Sequence, residues 1–64
     1  MRTVNTINEA RWWKRPPNKA AENLQTKMPE AKVDVQWHMV HERSNGGNAW
    51  AIRIIKDGAS TYLA

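Results

Sequence analysis

Two hydrophobic periodicities divide the chain. Val33, Val35, Trp37 and Met39 alternate with Asp34, Gln36 and His38, a period of two that predicts a half-buried strand from Lys32 to Glu42. Trp50, Ile52 and Ile54 alternate with Ala51, Arg53 and Ile55, which predicts a second strand over Ala49 to Lys56. Ser44-Asn45-Gly46-Gly47-Asn48 between them reads as a loop of residues that tolerate positive φ. Asp57-Gly58 is a two-residue hairpin signal, so Ala59 to Leu63 reads as a third strand.

The N-terminal half follows a helical period. Ala21, Leu24 and Met28 fall on one face of a helix over Lys19 to Met28, with Asn18 as its N-cap, Lys27 suited to its C-terminal dipole and Pro29 as its stop. Thr6 and Glu9 have the spacing of a capping box, which predicts a short helix from Ile7 to about Lys14 in preference to a strand over Arg2 to Ile7. Pro16-Pro17 ends whatever precedes it. The expected fold is α+β: one or two short N-terminal helices packed on a three-stranded antiparallel β-meander. Val33, Val35, Trp37, Met39, Trp50, Ile52 and Ile54 would form the core face against Ala21, Leu24 and Met28, with both Trp37 and Trp50 largely buried.

Length bounds what such a chain can be. Residues 1–64 make one small domain, too short for a nucleotide-binding α/β fold. There is no cysteine, hence no disulfide and no zinc–thiolate site, and four tryptophans are the available staples. No apolar run reaches the roughly 18 residues of a membrane span, and the N-terminus has no apolar signal region. The expected location is therefore the cytoplasm, with no membrane contact.

The net charge of +4 is unevenly placed. Arg2, Arg11, Lys14, Arg15 and Lys19 stand against Glu9 alone in residues 1–19, whereas acids and bases balance over 20–64. Such asymmetry points to an anionic partner met by one end of the molecule, although small soluble domains also carry charge for solubility alone.

The most distinctive segment is Arg11-Trp12-Trp13-Lys14-Arg15-Pro16-Pro17-Asn18-Lys19. Cations neutralise phosphates and release counterions, and indole faces stack on bases. Neighbouring residues of a helix point about 100° apart, so Trp12 and Trp13 cannot both face one core, and one of them is expected at the surface. The plainer reading has one indole anchoring the core and the other packing under the two prolines. A membrane-surface role is disfavoured because the apolar stretch is only about one turn long.

Other chemistry is sparse. His38, His41 and Glu42 resemble a metal set on paper, but residues 38 and 41 of a strand point to opposite faces. His41 would be at most a pH-sensitive contact. Ser44, Ser60 and the threonines lack a His/Asp constellation, and Gly46-Gly47 precedes no Gly-Lys-Ser/Thr phosphate loop. Neither an enzyme nor a cofactor is expected. Arg53 joins Ile55 and Val40 on the outer sheet face, a part-basic, part-apolar surface that invites a partner or a homodimer.

No family motif is carried. The Pro16-Pro17 break is unlike a helix-turn-helix turn, the strand-then-two-helices order of ribbon-helix-helix proteins is reversed, and the basic C-terminal helix of double-stranded-RNA-binding domains is missing. Size alone is that of small phage-encoded accessory proteins. The reading is of a non-catalytic binding protein that contacts nucleic acid through Arg11, Trp12, Trp13, Lys14, Arg15 and Lys19, with Arg53 contributing. The alternative is a phage-type protein whose basic arm binds an acidic surface on a host protein and inhibits or modulates it.

Overall fold

The computed structural model describes residues 1–39 and 48–64. Four strands form one antiparallel sheet: β1 (Thr3–Val4), β2 (Lys32–Met39), β3 (Asn48–Lys56) and β4 (Ala59–Leu63), in the spatial order β1-β4-β3-β2. Among the described residues one α-helix, α1 (Asn18–Lys27), lies between β1 and β2 in sequence. The class is the expected α+β, with one strand more than expected and, of the one or two expected helices, one α-helix among the described residues.

The C-terminal meander follows the alternation closely. β2 and β3 pair from Lys32 opposite Ile55 to Met39 opposite Asn48, so Val33, Val35 and Trp37 share a face with Ile54, Ile52 and Trp50. Asp57 and Gly58 both take positive φ, 52° and 79°, the pattern of a type I′ turn whose twist matches the strands it joins. β4 then returns with Thr61 opposite Ile54 and Tyr62 opposite Arg53. The expected extension of β2 through Glu42 and the Ser44–Gly47 loop lie outside the described residues, as do Val40 and His41; Asn48 already belongs to β3.

The helix expected over Ile7 to Lys14 does not form. Only Ile7–Glu9 turns, as a 3-10 helix, and Ala10 beyond it is extended with φ −72° and ψ 162°. The Thr6 hydroxyl donates to the Glu9 carboxylate at 2.9 Å, so the two capping-box side chains satisfy each other and not the backbone. A non-local competitor then takes the chain: Trp13 N–H donates to the Trp50 carbonyl and Trp50 N–H to the Trp13 carbonyl, both at 2.9 Å. With Arg11 N–H on the Leu63 carbonyl, residues 11–13 continue along the edge of β3 in the lane that β4 vacates. The strand alternative survives as β1, two residues paired with β4 at Thr3–Leu63 and Val4–Tyr62.

Pro17 redirects the chain. Its φ of −82° and ψ of 59° are those of an inverse γ-turn, closed by Asn18 N–H donating to the Pro16 carbonyl at 2.9 Å. Asn18 is therefore the first helical residue and makes no cap; Ala21 N–H is met by the Pro17 carbonyl. Met28 closes α1 with its N–H on Leu24, and Pro29 prevents another turn.

Gln25 joins α1 to the sheet. Its Oε1 accepts from Val33 N–H at 2.9 Å, and its Nε2 donates to the carbonyls of Met28 at 3.0 Å and Ala31 at 2.7 Å. One side chain thus fixes the whole helix-to-strand connection. Leu24 and Ala20 of α1 line a hollow with Leu63, whose face is that of Thr61, Ile54 and Ile52. The helix accordingly covers this face, where Ile52 is 0% and Ile54 3% exposed.

The expected core is right in side and wrong in extent. Trp37 is 51% exposed and Trp50 half-buried. β2 is an edge strand and the ten-residue helix, about 15 Å long, does not reach over the Trp37 end. Conversely Ala49 and Ala51, on the face expected to be outward, are buried. Alternation from Trp13 sets Trp12 on that side, and Trp12 Nε1 donates to the Ile7 carbonyl at 3.3 Å, tying the 3-10 turn there.

Candidate functional site

Cross-strand pairing assembles the most distinctive surface. Trp13 pairs with Trp50, and Trp50 pairs with Trp37. Residues directly opposite each other in antiparallel strands share a face, so three of the four tryptophans form one row across three adjacent lanes of the sheet. Accessibility rises along the row: Trp13 and Trp50 are half-buried and Trp37 is exposed.

The Arg11 guanidinium carbon sits 4.5 Å from the Trp13 ring centroid. Arg11 is two residues from Trp13 and so on its side of the extended segment, which is why a cation–π contact closes this end of the row. Trp13 Nε1 is buried and meets no acceptor among the described residues, so its indole is held by packing and by Arg11 rather than by a hydrogen bond.

The basic residues lie near that same end. Arg11, Lys14, Arg15 and Lys19 are all exposed: Arg11 precedes the Trp13–Trp50 bridge, Lys14 and Arg15 follow it, and Lys19 lies in the first turn of α1. That first turn holds no acidic residue. Lys19, the one of these cations inside the first turn, opposes the helix dipole there by about 0.3–1 kcal/mol. An anion would relieve it.

Not every expected contributor joins. Trp12 is half-buried on the opposite side of the sheet and bound to the Ile7 carbonyl, outside the row. Arg53 is engaged by Asp34 across β2 and β3, with Nε to Oδ1 at 3.1 Å and Nη2 to Oδ2 at 2.7 Å. That two-pronged pair holds the Asp34 carboxyl below its ordinary value and raises Arg53 further. Arg53 is a strand clasp, not a free cation. Trp37 and Trp50 are the residues the sequence reading missed as surface. Their signal was two long indoles in adjacent strands with only one ten-residue helix to cover them.

Other chemistry remains thin among the described residues. No group of three metal-ligating side chains occurs, and His41 and Glu42 lie outside those residues. The hollow of about 320 Å³ beside α1 is lined by Met1, Ala20, Asn23, Leu24, Lys27 and Leu63, of which Lys27 carries the one ionisable side chain. No helix among the described residues is long and apolar enough to cross a membrane. Comparison with protein-family models, curated proteins and solved structures finds no match for this chain.

Proposed function

We propose that the chain is a non-catalytic binder of single-stranded nucleic acid. Bases would stack on the tryptophan row from its exposed Trp37 end, and phosphates would run toward Arg11, Lys14, Arg15 and Lys19. The observation that carries this reading is the Trp13–Trp50–Trp37 row with Arg11 closing it. A row of indoles beside a cluster of cations suits strands whose bases are unstacked and available, since every base has a π-face. A duplex hides those faces and offers only phosphate. The preference for single strands is therefore a sharper form of the expectation drawn from residues 11–19, and it moves Arg53 and Trp12 out of the site.

Titration of intrinsic tryptophan fluorescence with a single-stranded oligonucleotide, and with the matching duplex, over a series of salt concentrations tests this. The single strand should bind more tightly. Joint replacement of Arg11, Lys14 and Arg15 by glutamine should flatten the dependence of log affinity on log salt by up to about 2.1 units. Trp37→Ala should weaken binding by about 1–3 kcal/mol. Absence of binding to either form at about 50 mM salt, where phosphate contacts are strong, would reject the proposal in favour of an acidic protein surface as the partner.

A further inference from the structure

The outer edge of β2 follows from a parity argument. In an antiparallel strand the N–H and C=O of one residue point to the same side. Trp50 directs both toward Trp13, so Trp50 and Trp37 exchange no backbone bonds, and the N–H and C=O of Trp37 face away from β3. The same holds for Val33 and Val35. Val33 N–H is taken by Gln25 Oε1. Among the described residues, nothing bonds the outward groups of Val35 and Trp37. β2 opens on Lys32 and carries Asp34, which Arg53 engages, but from Val33 to Met39 its edge has no proline and no lysine, and its ladder with β3 runs without a bulge. Those are the devices that ordinarily keep an edge strand from pairing.

We propose that β2 pairs antiparallel with β2 of a second copy of this chain, about a two-fold axis at Gln36, to give one sheet continuous across both subunits. Every axis through a residue respects the parity, and the three through Val35, Gln36 and Trp37 centre on the two residues whose outward groups are free. An axis at Val35 would rest both of its non-axial bonded pairs within β2, Trp37 with Val33, on the N–H that Gln25 already holds, whereas an axis at Gln36 meets that N–H only in its outermost pair, Val33 with Met39 of the partner subunit. An axis at Trp37 would set His38 against Gln36 and carry Asp34 past Met39, the end of β2. The axis at Gln36 sets Val35 against Trp37 of the partner subunit on one face. On the other face it sets Asp34 against His38 of the partner subunit.

That register is complementary on both sides. Asp34 stays ionised through its two bonds with Arg53, and a carboxylate retains acceptor capacity for a second donor. By symmetry each of these pairs occurs twice. The pairing sets Val35 of the partner subunit beside Trp37 and so narrows the exposed end of the tryptophan row, and the association is read without oligonucleotide, separately from ligand binding.

Analytical ultracentrifugation of the full chain over a dilution series reads the association. The native chain should form a dimer that dissociates on dilution. Val35→Pro removes an outward N–H and no bond to β3, so it should be monomeric with an unchanged circular dichroism spectrum. His38→Asp sets like charges against Asp34 twice and should raise the dissociation constant roughly tenfold, whereas His38→Lys should retain the dimer. The His38 pair of variants carries the test if Val35→Pro does not fold. A chain monomeric up to about 1 mM overturns the proposal and leaves the edge to a strand of another protein. A dimer indifferent to His38→Asp overturns it as well.

Discussion

Trp50 meets Trp37 at a site where β2 and β3 exchange no hydrogen bonds, because Trp13 occupies both backbone groups of Trp50. Such pairs bring Cα atoms to about 4.5 Å and their side chains into closer contact than hydrogen-bonded pairs do. The two indoles are nonetheless unequal. Trp50 has an indole on either side of it and is half-buried, whereas Trp37 is an edge residue with half its surface in water. Trp37→Ala should cost about 1 kcal/mol, the scale of one aromatic pair, and Trp50→Ala about 3 kcal/mol. Urea denaturation of both variants checks the ranking; an unfolded Trp37→Ala protein would contradict the exposed edge.

The Asp34–Arg53 clasp sets an acid limit. A carboxyl held below its ordinary 3.8 in the folded state stabilises the fold at any pH above that value and loses the contribution as pH falls through the lowered one. Both side chains are a little over a quarter exposed, so the pair contributes about 1 kcal/mol. The stability gap between the native chain and Asp34→Asn should hold from about pH 7 to pH 4 and close below that. Denaturation curves across this range measure it, and a gap that persists at about pH 2 counts against the clasp.

Gln25 makes three hydrogen bonds to backbone from one amide. Gln25→Ala should destabilise by about 1–3 kcal/mol by stranding part-buried groups. Gln25→Glu retains the acceptor for Val33 but turns a second oxygen toward the carbonyls of Met28 and Ala31. At neutral pH it should be at least as damaging as alanine, and it should recover on acidification, when the carboxyl regains a proton to donate. Stability measured for both variants at two pH values separates a lost bond from a charge repulsion.

At Gly58 an added Cβ would meet nothing within 4 Å, so any penalty there comes from the backbone φ of 79° alone. Gly58→Ala should cost about 1–2 kcal/mol, lowering the melting temperature by about 4–8 °C per kcal/mol, and Gly58→Val more, because a β-branched side chain tolerates positive φ least. Thermal melts of the two variants check the ranking, and no loss for Gly58→Ala would contradict the left-handed turn.

What could be read in advance was what neighbours in sequence decide. The Asp57-Gly58 turn and the alternation through Val33–Trp37 and Trp50–Ile54 needed no distant partner to be recognised. The N-terminal segment did. Thr6 and Glu9 are spaced for a helix start, yet Trp13 is committed by Trp50, a residue far along the chain that no local pattern reveals. The exposure of Trp37 follows from β2 lying at the edge, a matter of strand order. Arg53 looked free for the same reason: the β2–β3 register that delivers Asp34 to it is set by strand pairing, not by residues near Arg53 in the chain. Within the candidate site the basic cluster and Trp13 were legible, while the row itself exists only once three distant segments lie side by side.

The Thr3–Leu63 pairing joins residues at nearly opposite ends of the sequence, and the Trp13–Trp50 bridge spans more than half of it. Closing such loops expends chain entropy before their contacts return anything, so the rate of acquiring this fold is governed by the search for these late junctions. The β3–β4 hairpin, local and pre-shaped by its turn, can form within microseconds, whereas the indole row must wait for the N-terminal strap to find its lane. The Trp13 part of the fluorescence change therefore reports a late junction, whereas the Trp37–Trp50 part arises with β2–β3 pairing. In a stopped-flow refolding experiment, the slow fluorescence phase should be lost in Trp13→Phe while the faster one remains.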